Sequence, residues 1–379
     1  MKIETTALEV NPLPGYSEAA SLMGVRVLPS GELVVGSIFG SPMLRKVDWR
    51  EGATPTKIED LRLEAELGDG VVGVLGSFRL SERGDLDLVA LHEGSLPRWL
   101  RKIFGKDFSG RRGPELVSHL SSQGSAMGAQ TSHLQWKDGK FSVRRFKEPG
   151  ITHDLQFLGD YVFAMFPGAL AREPYLHLQP EKRETLRSDL VGNRALHRSE
   201  DGTFWMLASN GRISRFQYTE NKAKPTPLKF PGFEASPVFA LSASSKTDGW
   251  LYGVGGDERT LFRLRRNPIS FEEELQVIWN SDRPITALVA VDRLESPKLL
   301  VALEGAQFVA FALVRPEDEE LLPPIPSPEK LARVEGVSRV SSLTFDPASG
   351  ITWGVEGDFG SASSQPAKKS RAILRITEI

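Results

Sequence analysis

Along almost the whole chain, short apolar runs alternate with clusters of Gly, Pro, Asp and Ser. Short runs bounded by turn-forming residues predict strands, and sustained 3.6-residue periodicity is nearly absent, so the chain reads as all-β. One unit recurs within these runs: a small residue, an apolar residue, any residue, an apolar residue, then a turn and a second apolar strand. Its first half stands as Gly24-Val25-Arg26-Val27, Ser77-Phe78-Arg79-Leu80, Asp154-Leu155-Gln156-Phe157, Ala195-Leu196-His197-Arg198, Ala240-Leu241-Ser242-Ala243, Ala287-Leu288-Val289-Ala290 and Ser342-Leu343-Thr344-Phe345, which makes seven copies.

The apolar anchors Val25, Phe78, Leu155, Leu196, Leu241, Leu288 and Leu343 are separated by 53, 77, 41, 45, 47 and 55 residues, so five of the six steps share one loose period. The second strand follows as Leu33-Val34-Val35-Gly36, Thr203-Phe204-Trp205-Met206, Trp250-Leu251-Tyr252-Gly253 or Ile351-Thr352-Trp353-Gly354. A third carries a base among apolar residues, as in Leu44-Arg45-Lys46-Val47, Ile213-Ser214-Arg215-Phe216, Leu261-Phe262-Arg263-Leu264 and Ile373-Leu374-Arg375-Ile376. Units of roughly 40–50 residues with three or four strands each are the mark of a β-propeller, whose sheets stand face to face around an axis. The expectation is a single seven-bladed β-propeller over residues 1–379. Its last blade is short of an outer strand, and Thr6-Ala7-Leu8-Glu9-Val10 is expected to supply it and close the ring, hiding the terminal sheet edges. The long step from Phe78 to Leu155 holds two further strand-like runs, Thr131–Trp136 and Phe141–Phe146, which places the excess at 93–126 within blade two. Pro316 to Lys330, which begins with four acids and is rich in proline, reads as an exposed extended loop.

Composition narrows the chemistry. Forty-seven Lys and Arg against 49 Asp and Glu leave a formal charge of −2, too little to hold nucleic acid by a global field. The absence of cysteine removes disulfides, thiolate catalysis and Cys-ligated zinc or iron–sulfur sites. No apolar run reaches the roughly 18 residues of a membrane span, and Met1-Lys2-Ile3-Glu4-Thr5-Thr6 has no basic stretch followed by an apolar one, so the cytoplasm is the expected compartment. Gly68-Asp69-Gly70-Val71-Val72-Gly73 matches the letters of a dinucleotide loop but leads into a strand, and without a helix N-terminus it has nothing to hold phosphates.

The stretch Glu200-Asp201-Gly202-Thr203-Phe204-Trp205, continuing through Asn210-Gly211-Arg212-Ile213-Ser214-Arg215-Phe216, resembles the blades of NHL, lactonase and streptogramin-lyase propellers. That resemblance implies fold, because propellers host enzymes and inert scaffolds alike. Thr152-His153-Asp154-Leu155 followed by Asp160-Tyr161-Val162 is faintly similar to the carotenoid cleavage oxygenases, in which histidines of four blades converge on iron. At the offset of His153 the other repeats carry Met23, Gly76, Arg194, Phe239, Thr286 and Ser341, none of which replaces an imidazole, so that iron site is not expected and no metal or cofactor is assigned. A lactonase-type metal would draw on Asp154, Asn193, Asp257, Glu304, Glu356 and Asp358, which follow no tight motif.

Two sets of residues remain as binding candidates. Immediately after the anchors stand Arg26, Arg79, Gln156 and His197, polar groups on innermost strands that are otherwise apolar and therefore in need of partners. Inter-blade ion pairs in a wet channel account for them, or, with Arg194 and His153, they form a pocket for a small anion or carboxylate. In 93–126 the residues Leu96, Trp99, Leu100, Ile103 and Phe104 form one apolar face of a short helix, with Arg98, Arg101 and Lys102 on the other side. Such a basic amphipathic element docks on a protein partner or makes a weak contact with an anionic membrane, and otherwise merely caps the ring. The expected function is a binding or interaction module recognising a protein or a small anionic ligand. The alternative is a small-molecule enzyme of the lactonase, lyase or hydrolase kind with its site at the channel mouth.

Overall fold

The computed structural model describes residues 1–12, 20–38, 40–49, 54–61, 71–80, 86–92, 131–137, 140–145, 154–158, 161–166, 168–174, 184–190, 193–199, 203–208, 213–219, 222–223, 226–228, 238–255, 257–267, 269–293, 295–314, 327–357 and 370–379; for most strands between 71 and 195 it describes the backbone alone. Among these residues every regular element is a strand. No helix of the described residues is long and apolar enough to cross a membrane.

The strands form successive antiparallel units of four. Ser21–Val27, Leu33–Ile38, Leu44–Asp48 and Lys57–Asp60 pair in order, and Val71–Leu80, Leu86–His92, Thr131–Lys137 and Lys140–Arg145 do the same, the two units being linked in one sheet by a single ladder pair, Ile38 with Gly73. The next begin at Asp154–Leu158, Asn193–Arg198, Val238–Ser244, Ile285–Val291 and Val340–Asp346. The first strand of each unit lies beside the first strand of the next, and Val340–Asp346 lies beside Ser21–Val27. The apparent dinucleotide loop indeed runs into the strand Val71–Leu80.

Stacked sheets explain the hydrophobic pattern. Leu251–Gly255 is buried at every position, and Lys298–Leu303 and Gln307–Ala312 at all but their ends, because a neighbour covers each of their faces. The core is accordingly a series of wedges rather than one mass. One joins Trp250, Tyr252 and Val254 to Leu299, Val301 and Phe311; another joins Ala302 and Phe308 to Leu343 and Leu374; a third joins Leu22, Val35 and Trp49 to Trp353 and Ile373. Trp49 and Trp353 meet across the last of these with ring centroids 5.3 Å apart. At Gly253 a Cβ atom would fall 2.3 Å from the ring of its cross-strand partner Phe262, so glycine is what lets that ring lie flat on the sheet.

The unit Val340–Asp346, Ile351–Glu356, Ser370–Thr377 has as its fourth strand Lys2–Glu9, from the other end of the chain, aligned along its whole length from Lys2 opposite Thr377 to Glu9 opposite Ser370. The third-strand arginines show that this strand takes the place the outer strand has elsewhere. Arg45 donates to Asp60 at 3.0 Å, Arg263 to Gln276 at 2.6 and 3.0 Å, and Arg375 to Glu4 at 2.8 Å, each across to the residue directly opposite. Arg215 lies opposite Thr226, which offers no carboxylate, and pairs instead with Glu273 of the following unit. Glu4, held by Lys2 and Arg375, has its carboxyl lowered below the ordinary range.

Deleting residues 1–10 is expected to remove the Arg375 partner, uncover the third strand of that unit and lower the melting temperature by several degrees. Differential scanning calorimetry of the full-length and shortened chains checks this; equal midpoints would mean the strand adds nothing to the fold.

Candidate functional site

The starts of the first strands, which lie side by side, are termed here the leading end and their finishes the trailing end. At the leading end their register is irregular in a consistent way. One extra residue interrupts the ladder at Met23, Arg194, Thr286 and Ser341, between the pairs formed by Leu22 and Gly24, Asn193 and Ala195, Ile285 and Ala287, and Val340 and Ser342. Longer irregular stretches, Leu75 to Arg79 and Val238 to Ser242, contain Gly76 and Phe239. These six are the residues that share the sequence offset of His153; that histidine itself lies outside the described residues. A bulge kinks its strand and re-aims the extra side chain. The two hydroxyls among the six have visible targets: Thr286 Oγ1 donates to the Ala302 carbonyl at 3.2 Å, and Ser341 Oγ to the Leu22 carbonyl of the neighbouring first strand at 2.8 Å.

The column after the anchors falls where the repeat placed it, on first strands opposite Val34, Asp87, Phe163 and Trp205 for Arg26, Arg79, Gln156 and His197. Arg26 is half-buried and turns back to donate to the carbonyl of Val25 at 2.7 Å, while His197 is only 8% exposed and so does not stand at an open rim. For Arg79, Gln156 and Arg194 the structure describes the backbone, and the segment with Arg98, Trp99, Leu100, Arg101, Lys102, Ile103 and Phe104 lies outside the described residues. The strands on either side, Leu86–His92 and Thr131–Lys137, are paired so that His92 and Thr131 both lie at the leading end.

Two of the acids considered for a metal have other partners. Glu356, 2% exposed, accepts from the Ser338 amide and hydroxyl and from the Ala372 amide. Asp257 accepts from the amides of Arg259 and Thr260 and from the Thr260 hydroxyl; burial opposes its ionisation, but these donors outweigh it and hold the carboxyl below its usual range. Asp358 lies outside the described residues. Among the described residues no three His, Asp or Glu side chains stand close enough to hold one ion.

At the trailing end the sequence reading missed a buried polar network. Asp248, 6% exposed, accepts from the Tyr252 hydroxyl at 2.5 Å and from the Trp250 amide at 3.1 Å. Arg263 and Arg265 both stack on the Trp250 ring at 4.6 Å, and Arg265 Nε donates to Glu274 at 2.6 Å. The preceding residues of the same turn grip the next unit: Ser245 Oγ, the Lys246 amide and Thr247 Oγ1 all donate to the Asp292 carboxylate within 3.0 Å. The legible signal was Lys246-Thr247-Asp248-Gly249-Trp250, an acid two residues before an aromatic strand.

The comparisons with known proteins bear on this geometry through the fold. No family model and no curated protein matches the chain. Solved structures do. A chain of the mitotic checkpoint complex aligns with a TM-score of 0.58 at 9% identity, covering 98% of this chain and 91% of its own. The structure titled YCF48 bound to D1 peptide aligns at 0.55 and 14% identity, covering 99% and 97%. The extracellular domain of BT4673 from B. thetaiotaomicron aligns at 0.55 and 11%, covering 97% of this chain, which spans 41% of that longer one. The fold is of the β-propeller type. At these identities the likeness extends to architecture alone.

Burial pushes the Asp248 carboxyl above its ordinary value of 3.8, against the opposing hydrogen bonds of Tyr252, Trp250 and Ser245 and the charge of Arg263. The folded chain therefore holds a proton that the unfolded chain releases, so this group's contribution is greatest in acid and declines as pH rises above 3.8. Asp248→Asn is expected to flatten that decline, measured as urea midpoints of both proteins between pH 4 and 7. An unaltered slope would place the titration elsewhere.

Proposed function

We propose that the chain is a seven-bladed ring, closed by its N-terminal strand, that acts as a binding module for a protein or peptide segment at its leading end. The observation that carries this is the common bulge. Register breaks early in five first strands, at Met23, Arg194, Thr286, Ser341 and the stretch holding Phe239, and in a sixth both at Val72 and in mid-strand around Gly76, give up ladder hydrogen bonds toward the starts of these strands. Bulges are common at rims and beside binding sites, where they re-aim a side chain or end pairing. The connection from His92 to Thr131 leaves from and returns to that end, and loops on a rigid ring are where function varies without disturbing the blades.

In this reading 93–126 is a recognition element. Trp99, Leu100, Ile103 and Phe104 supply contact area; Arg98, Arg101 and Lys102, with Arg194 at the start of its strand, favour acidic groups on the partner and make capture salt-dependent, whereas Arg26 and Arg79 lie next to the far ends of their strands and take no part. Two of the structural neighbours are titled for assemblies with other polypeptides, a checkpoint complex and a peptide complex, which agrees with a module of this kind.

The test places a photo-reactive amino acid at Arg283 or Glu335, exposed in the connections that precede two first strands, or at the exposed trailing-end Ala348, and irradiates each protein in native lysate. Covalent adducts are expected from the first two positions and not from the third. Reversing the charges of Arg101 and Lys102 should reduce the adducts by about tenfold, the size expected when steering charges are lost, with no change in melting temperature. Adducts from Ala348 alone would move the surface to the other end, and a lowered melting temperature for Trp99→Ala with capture intact would make 93–126 a cap.

A further inference from the structure

Three turns at the trailing end are built to one design. In each, the side chain of a head residue accepts from the amides two and three positions later, and its carbonyl accepts from the amide of the fourth. Ser245 Oγ takes Thr247 and Asp248 and its carbonyl takes Gly249; Asp346 takes Ala348 and Ser349 and its carbonyl takes Gly350; Asn267 Oδ1 takes Ile269 and Ser270 and its carbonyl takes Phe271. The closing residue must adopt a left-handed backbone, with φ of 72°, 68° and 58° respectively. Two of the three positions hold glycine, for which that conformation is free of strain. The third holds phenylalanine, whose Cβ is disfavoured there.

The ring of Phe271 gives no burial in return. It is 60% exposed, and Ile269, at the tip of the same turn, is 47% exposed. What the ring does have is an oriented cation: the Arg266 guanidinium lies 5.0 Å from its centroid, fixed by donation from Nε to the Phe271 carbonyl at 3.2 Å. The turn is rigid from below as well, since Asn267 is buried and its amide donates to Glu274 at 2.9 Å. An aromatic side chain kept at a strained position, open to solvent and aligned beside an arginine, has the make-up of a pre-ordered contact residue.

We infer that the turn from Asn267 to Glu272 is a second docking element, independent of the leading-end surface, and that it anchors Phe271 and Ile269 in an apolar pocket of a protein partner whose rim presents a carboxylate to Arg266. Glu272 follows directly in the chain, so the recognition feature is the oriented guanidinium and not the net charge of the turn. The partner's acid is required because a guanidinium carried to a contact on an aromatic face loses water and needs an ionic acceptor.

Selection from random peptides can supply the partner. A phage-displayed library of random twelve-residue peptides is panned on the full-length protein, and the recovered peptides are titrated against Phe271→Gly, Phe271→Asn and Arg266→Gln. The peptides are expected to join Leu, Ile or Phe to Asp or Glu, to bind both Phe271 variants at least tenfold more weakly, and to bind Arg266→Gln more weakly with a reduced dependence on salt. Both Phe271 replacements tolerate the left-handed backbone, so their melting temperatures should equal or exceed that of the parent protein. A fall in melting temperature for both would make Phe271 a structural residue, and peptides that bind the variants as well as the parent, or that lack acids, would overturn the assignment even where the leading-end surface stands.

Discussion

Everything in this molecule follows from strands that are apolar on both faces. A strand such as Leu251–Gly255, buried at each position, needs a cover on either side, and its sheet receives that from the sheets before and after it in the chain. Each cover is itself a sheet with the same need, so the requirement passes along until Val340–Asp346 comes to lie beside Ser21–Val27. No local interaction accomplishes this. The Trp49–Trp353 contact and the alignment of Lys2–Glu9 on Ser370–Thr377 follow from the same need of apolar sheet faces for a cover.

Polar groups then decide how neighbouring strands align. The third-strand arginines reach across to the strand outside them, and where the opposite residue is Thr226 the arginine finds a carboxylate in the next unit instead. Half-buried pairs of this kind add little stability beyond the cost of desolvation, but they penalise a slipped register, since a shift by one residue would turn the arginine to the other face. Arg375 and Glu4 apply that constraint to strands more than 360 residues apart in sequence, which matters most where no short turn fixes the alignment.

The repeat was legible because its period is a property of side-chain chemistry: apolar anchors, turn residues and the basic third strand recur at positions that can be counted. Thr131–Lys137 and Lys140–Arg145 emerge as strands of the second unit for the same reason, since their alternation survives the long gap before them. The bulges were not legible. Met23, Arg194, Thr286 and Ser341 share an offset but no chemistry, and an extra residue in a ladder is visible only against the strand it pairs with. The same limit hid the Asp248 network. Its head residue Ser245 and its far partner Asp292 stand in different repeats, and neither carries a motif that announces the other.

The two ends of the stacked sheets differ in how they make a surface, and the difference has a thermodynamic meaning. At the leading end the irregularity lies in the first strands themselves, so redirecting a side chain there uses up ladder hydrogen bonds that the core would otherwise keep. At the trailing end the ladders run to completion and short turns close on their own amides; the head residue varies freely between Ser, Asn and Asp because each supplies the same acceptor. Only the closing position is conformationally restricted, and only there does changing the residue carry a penalty. A rigid turn of this sort has little freedom left to lose on association, so even a contact formed by two apolar side chains and one guanidinium keeps most of its interaction energy as affinity. That is why a single unfavourable residue at a closing position is more informative than any number of exposed apolar residues in looser segments.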